Sequence, residues 1–546
     1  MKQIYSLLIL SFCYLQAFSQ EPNYGQVSGN FALDAQYYIA DSTINAQNVP
    51  EKTRMNTFAN INYTLGKFST GFRYEAYMKP LLGFLPGWEG QGIMYRYAQF
   101  TDDKFDVTIG SFYEQFGSGM ILRAYEERAL GYDNMFDGAR VKFNPYKGVY
   151  LKGLYGKQRL FWRLADGVVR GADAEVNLNE MLDSVMGRMK TKFILGASFV
   201  SRYQNPADVN YVMPANVGSF ATRLNIIRDK WNVSGEYVYK INDPSADNKF
   251  IYKNGQGLLL QFNYATKGFG LSLSGKYIDN MSFRSDRYEG FTNVFINFNP
   301  ALTRPHTYNL AATLYPYACQ PTGEIAFQGE LNYKFQKGTL LGGKYGANLA
   351  VNYSYANGLD TTTFSPEKDS ARMGYSSRFF GPGSNKYFRD FNIEFRKKVS
   401  DKFKFVLMYI YLEYDMEIVQ NLIGKGTIYS HIGVADLNYK IDKKNNIRVE
   451  VQHLYTQQDK GSWATVLVEY TRSPHWFIGA LSQYNYGNEV EAQRVNYPYL
   501  TVGYIQNSTR ITMGYGKQRE GLFCVGGVCR AVPASNGFTL SITSSF

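Results

Sequence analysis

Long hydrophobic runs are missing from most of this chain. Beyond residue 19 no stretch approaches the ~18 consecutive apolar residues of a membrane-crossing helix, which excludes a helical membrane protein. Charge is also thin. Asp, Glu, Lys and Arg make up 19% of the 546 residues, against about 25% in ordinary soluble domains. Cysteine and histidine occur four times each. Cys13 follows the bulky Phe12, which rules out a lipid-anchor site there. No glycine-rich loop stands between a strand and a helix to cradle a phosphate. What is abundant is aromatic and small: 46 Tyr, 38 Phe and 51 Gly, with a mean hydropathy of −0.32. A polar average rich in tyrosine and glycine, with no long apolar segment, is the composition of strands that alternate between lipid and water.

The first twenty residues, MKQIYSLLILSFCYLQAFSQ, join a basic Lys2 to an apolar stretch from Ile4 to Leu15. Ala17 and Ser19 then give a small-x-small cleavage pattern, so residues 1–19 read as a secretion leader and 20–546 as the mature domain.

Alternation begins at once. In QVSGNFALDAQYYI, Val27, Phe31, Leu33 and Tyr37 share one face, and Ser28, Asn30, Asp34 and Gln36 share the other. The pattern recurs in KFDVTIGSF, KFILGASFVSRY, WNVSGEYVYKI, KFKFVLMYIYLEY and TRITMGYGKQ. Short turns with one chemistry divide the runs: Asp103-Lys104, Asp229-Lys230, Asp401-Lys402 and Asp442-Lys443. Longer Gly-, Asn- and Pro-rich loops, such as 79–92, 242–254 and 356–386, separate the others. The expected fold is all-β: one large antiparallel transmembrane barrel of about 26 strands (24–26), with short periplasmic turns and long extracellular loops. A strand at 168–178 followed by a helical connection is needed to keep the parity. With the first strand starting so close to the leader, no N-terminal plug of the kind in TonB-dependent receptors is expected.

Near the C-terminus a two-residue hairpin about Gly526-Gly527 would set Val525 opposite Val528 and Cys524 opposite Cys529. Such a non-hydrogen-bonded pair brings Cα atoms to roughly 4.5 Å, within disulfide reach, in an export-directed chain where disulfides persist. Cys319 has no evident partner. The final strand, with Phe538, Leu540, Ile542 and the terminal Phe546 on one face, resembles the C-terminal assembly signal of outer-membrane barrels, although Ser544 departs from the usual large residue.

One segment breaks the alternation. Residues 110–143 gather Glu114, Arg123, Glu126, Glu127, Arg128, Asp133, Asp137 and Arg140 among glycines and aromatics. Residues 120–130 have helical character, with Arg123 and Glu127 at ion-pair spacing. Folded inward, this loop would narrow the lumen and set opposed charges across it. The competing interpretation is a solvated outer loop.

The runs Phe-Tyr-Glu-Gln-Phe-Gly-Ser-Gly at 112–119, Tyr-Glu-Glu-Arg-Ala-Leu-Gly at 125–131 and Cys-Val-Gly-Gly-Val-Cys at 524–529 resemble a family of large Bacteroidota outer-membrane barrels of unknown function. The resemblance implies barrel and location and brings no activity. It also implies the Asp-Ser/Thr-x glycosylation pattern of that phylum, matched at Ser42, Ser184, Thr361 and Ser370.

His306, His431, His453 and His475 fall on different rims by strand parity, so neither a metal site nor a catalytic triad is expected, and no cofactor. The formal charge of +12 does not measure the lumen, because Lys67, Lys104, Lys147, Lys230, Lys267, Lys337, Lys402 and Lys443 all sit in turns. Expected partners are outer-membrane lipid, the barrel-assembly machinery, and surface lipoproteins or secretion components, not nucleic acid. The sequence points to a non-enzymatic channel or transport component for polar solutes. A scaffold subunit of a secretion, assembly or surface-lipoprotein complex is the alternative, and a rim hydrolase is the weakest reading.

Overall fold

The computed structural model describes residues 24–206, 208, 211–290, 292–364, 372–525 and 528–546; the leader expected at 1–19 lies outside them. Twenty-four strands, each antiparallel to its neighbours, form one sheet that closes on itself. The first strand, Gln26–Tyr38, pairs with the last, Ser535–Ser545, from Asn30 opposite Ser545 to Tyr38 opposite Gly537. Gly29 and Phe546 exchange both backbone hydrogen bonds, at 2.9 and 3.0 Å, so the ladder runs to the last residue. Closure matters physically. A sheet edge in lipid would leave N–H and C=O groups unpaired, at several kcal/mol each.

The expected count of about 26 is too high; the sheet has 24 strands. Period-two alternation is necessary for a wall strand but does not make one. The stretch Asn293–Phe298 alternates as well as any strand, yet Val294 and Ile296 are buried and Ile296 accepts a backbone bond from Arg123, away from the wall.

The outward face is apolar. Val27, Ile109, Leu500, Met513 and Phe538 are each more than half exposed. Aromatic pairs ring the short-turn rim: Phe68 with Phe100 at 5.0 Å, Phe105 with Phe143 at 4.6 Å and Trp476 with Tyr504 at 4.7 Å. Tyr515 and Phe538, 4.5 Å apart, stand near the other rim. An apolar band between aromatic girdles is the exterior that a bilayer requires. No helix among the described residues is long and apolar enough to cross a membrane.

The turn chemistry held. Gly66-Lys67, Asp229-Lys230 and Gly268 sit in tight connections on one rim, where Lys67 pairs with Asp102. The uncertain region also matches, with strand Arg163–Asn177 followed by two short helices, Leu178–Met181 and Asp183–Met186. The supposed loop at 356–386 is different. Strands Ala347–Thr363 and Tyr375–Lys398 continue through most of it as a bulged ribbon, with register breaks from Ala356 to Thr361. Ser42, Ser184 and Thr361 are exposed, and Ser370 lies outside the described residues.

Two connections on the long-loop rim turn inward. The first inner loop, 113–135, and the second, the described residues of 280–322, run into the lumen, and their ion pairs reach Lys152 and Glu394 toward the short-turn ends of the wall strands. They join each other through backbone bonds from Arg123 to Ile296 (2.8 Å) and from Phe298 to Gly119 (2.9 Å). Phe116, Met120 and Leu122 of the first, with Leu310 and Tyr315 of the second, pack against wall residues Val169, Val200, Ile278, Ile410 and Ile432 in one dry core. A third piece covers them. The hairpin Gly521–Val525 and Val528–Val532 carries the disulfide between Cys524 and Cys529, with Cα atoms 4.1 Å apart, and the two cysteines stand opposite one another as the spacing predicted. Its turn residues, 526–527, lie outside the described set. Cys319 is free.

Candidate functional site

Most of the charged residues at 110–143 fall into two clusters and one separate pair, built jointly by the first inner loop and the strands around it. In the most deeply buried, Arg73 of strand Phe68–Met78 reaches Glu75 (2.6 Å), Glu126 (2.8 Å) and Asp133 (2.5 Å). Arg159 of strand Val149–Leu160 makes a two-pronged contact with Glu75, both arms at 2.7 Å, and a further one with Asp133 at 2.9 Å. Glu126 also holds Arg128 at 2.8 Å. Asp133 accepts from the Tyr113 hydroxyl (3.0 Å) and the Met135 backbone (3.1 Å). Burial raises the Asp133 carboxyl, but Arg159 and Arg73 beside it outweigh that and hold it below the usual carboxylate range. Trp88 lies under Arg159 at 4.8 Å, and Tyr95 under Arg73 at 5.0 Å. Wall and loop are thereby fastened through a dry, fully paired network.

A second cluster centres on Glu114, which contacts Lys152 (3.1 Å), Lys142 (3.2 Å) and Arg140 (3.6 Å); Arg140 also meets Asp106 at 2.9 Å. Asp137 pairs with Arg96 at 3.1 Å. The expected helix over 120–130 is absent apart from one 3-10 turn, Arg128–Leu130, and Arg123 does not pair with Glu127. Instead its guanidinium lies between Tyr125 and Phe298, at 4.5 and 4.2 Å. Helical spacing misled because the loop's backbone bonds run across it, in two small ladders that pair Gln115–Phe116 with Leu122–Arg123 and Glu126–Glu127 with Tyr132–Asp133, with single bonds to the second inner loop, and not along a helix axis. Glu127 makes no ion pair among the described residues and faces a cavity.

The residues that sequence reasoning missed are the wall partners, Arg73, Glu75 and Arg159. Their signal was present. In GFRYEAYM the arginine and glutamate share the inward face of a membrane strand, and an ionisable residue there is a site by default. The second inner loop is tied similarly. His306 lies 2.6 Å from Asp390, Arg304 lies 3.0 Å from Glu394, and the backbone of Leu310 donates to Gln452 at 3.0 Å. His431 and His453 stand diagonally on neighbouring strands, held by Tyr409 and Tyr486, and His475 lies at the Ile505 carbonyl; no group of His, Cys, Asp and Glu among the described residues could hold a metal.

Between these loops and the closing strands remains a cavity of about 870 Å³. Its wall side mixes apolar Phe58, Leu481 and Leu540 with polar Gln36, Gln483, Thr539 and Ser541, and carries two charged residues, Asp34 and Lys517. Glu127 and Arg128 of the first loop, and Asn309 and Thr313 of the short helix Asn309–Leu314, form the opposite side. Arg519 and Arg530 bound it near the clamped hairpin.

Among solved structures, the chain is similar to a mutant of the ferric enterobactin receptor PfeA of Pseudomonas aeruginosa, with a TM-score of 0.45, 10% identity, and coverage of 96% of this chain and 81% of that one. It is similar to OccAB3 of Acinetobacter baumannii at 0.34 and 10%, covering 95% and 98%. It also resembles the P pilus usher PapC translocation pore at 0.41 and 8%, covering 95% and 99%. Likeness at this level carries no argument about function. No curated protein matches the chain. A family model described as a family of unknown function, DUF6029, matches residues 1–546.

Proposed function

The chain belongs to that family of unknown function, and we propose that it is an outer-membrane transport barrel for polar solutes, shut in this conformation by its own inner loops. One observation carries the reading: the first inner loop is fastened inside the lumen by ion pairs from Asp133 and Glu126 to Arg73 and Arg159. Twenty-four strands enclose a lumen wide enough for a channel or a plug. Here the chain's own connections act as the plug. The ion pairs act beside the apolar packing of Phe116, Met120 and Leu122 on the wall, so removing a charge weakens one of the two holds on the loop. Passage then runs beside the closing strands, where the cavity already lies. The reading assigns no catalysis, cofactor or nucleic-acid partner.

Single-channel recording in planar bilayers tests it. The wild-type protein is expected to rest closed with rare openings, and Asp133→Asn to open far more often. A second reading is favoured by the dry packing of both loops against the wall. On that reading the barrel is a scaffold, and its partners are surface lipoproteins or secretion components. A scaffold stays silent in both forms and copurifies with its partners.

A further inference from the structure

We propose that the cavity beside the closing strands binds a solute through one anionic group, a carboxylate or a phosphate, gripped by Arg519 and Arg530. The inference deepens the transport reading and rests on it for its purpose.

The two arginines differ from the other two cations that line this cavity. Lys517 is paired with Asp41 at 2.8 Å, and Arg128 with Glu126 at 2.8 Å. Arg519 and Arg530 line the same cavity, yet neither has a carboxylate within ion-pair distance among the described residues. The nearest acid to Arg519 in sequence, Glu520, is taken by Lys460. Arg519 is only 9% exposed. It donates to the Asn309 side chain (2.8 Å), the Glu520 carbonyl (3.0 Å) and the Thr313 hydroxyl, and lies 5.4 Å from the Trp463 ring. Arg530 donates to the Leu82 carbonyl at 3.0 Å and sits 4.2 Å over Phe84. All these acceptors are neutral, and neither Nε atom has an acceptor among the described residues. Burial pushes both guanidinium groups down to about 10.

A buried cation without a counter-charge is costly, and an anion arriving in the cavity offsets that cost. Guanidinium forks also match the paired oxygens of carboxylate and phosphate. The remaining lining narrows the class. Asp34 and Glu127 face the same space without ion pairs among the described residues, and Asp34 is exposed to water, where a charge needs no partner. A polyanion would meet these carboxylates. A solute with one anionic end, and a neutral or cationic body hydrogen-bonded by Gln36, Gln483 and Ser541, would not. The volume of about 870 Å³ suits a small organic molecule.

Calorimetric titration of the purified full-length protein in detergent tests this with N-acetylglycine, glycerol 3-phosphate and glycerol as probes. Saturable heat is expected from at least one anion and none from glycerol; which anion binds identifies the group. Arg530→Gln, which removes a carbonyl contact at Leu82 and a ring contact at Phe84, should weaken that binding at least tenfold, and Arg519→Lys should weaken it less than Arg519→Gln. Absence of saturable heat from both anions, or equal affinity in Arg530→Gln, overturns the proposal. Because no flux is measured, a binding failure leaves the conductance test of the transport reading untouched, and a silent bilayer leaves the binding result standing.

Discussion

Replacing Asp133 by asparagine perturbs the plug without changing its shape. The buried cluster holds three arginines, at 73, 128 and 159, and three acids, Glu75, Glu126 and Asp133, so it is neutral as it stands. Asparagine leaves it one positive charge in excess, in a place with almost no water. It also aims an amide at guanidinium donors that need an acceptor. Breaking a buried ion pair by removing one partner costs about 3–5 kcal/mol. Of the three ion pairs between this loop and the wall in this cluster, two belong to Asp133, with Arg73 and Arg159, and the third joins Glu126 to Arg73. Most of the loss should therefore fall on the docked state of the loop and not on the barrel. At about 1.4 kcal/mol per factor of ten, the released population rises by roughly two hundred to five thousand fold. Two assays read this: open probability in planar bilayers, and trypsin cleavage at Arg128, which a docked loop protects. Asp183→Asn, on the exposed pair with Lys147, serves as the control and should change neither. If Asp133→Asn folds normally and both readouts stay within threefold of wild type, the pairs do not hold the plug and the reasoning fails.

Acid should act on the same residue. The Asp133 carboxyl is held below its ordinary range, so its contribution is intact above that range and is lost as pH falls through the lowered value. Burial pushes the Glu126 carboxyl up, so acid should remove its pair with Arg73 first, and the two Asp133 pairs should be lost only below about pH 4, the ordinary aspartate range; full opening between pH 5 and 6 would count against the assignment. Glu127→Gln removes a carboxylate that has no ion pair and faces the cavity, so it should change the cation-to-anion permeability ratio of the opened Asp133→Asn background while leaving thermal stability within about 0.5 kcal/mol. Cys319 lies 3.1 Å from the buried Lys276 amine, and burial pushes its thiol up to about 12, so maleimide should label it only after unfolding. Reducing the Cys524–Cys529 bond frees a loop of a few residues, which corresponds to about 2 kcal/mol of lost constraint. Proteolysis at Arg530 should then accelerate with the barrel intact, and an unchanged rate would show that packing alone holds the hairpin.

The wall was legible in the amino-acid order because a barrel strand is a local object. One side chain faces lipid and the next does not, and the pattern is visible within a dozen residues of Gln26–Tyr38 or Thr509–Gln518. The disulfide was legible for the same reason, since two cysteines across a tight hairpin are set by the turn between them. The charged segment at 110–143 also announced itself by composition.

What fills the lumen was settled only in three dimensions. Whether Asp133 lies in water or between two arginines depends on Arg73 and Arg159, 60 residues before it and 26 after, on strands that the closing of the sheet brings around it. One trace of the filling did exist locally. Strand Phe403–Asp415 is apolar on both faces, with Leu407 and Tyr409 exposed outward and Met408, Ile410 and Leu412 buried inward. A wall with lipid on one side and water on the other has no reason for that second apolar face; a wall that packs against its own loops does. Period two is imposed by neighbours along the chain, whereas the content of a closed barrel is imposed by segments hundreds of residues apart.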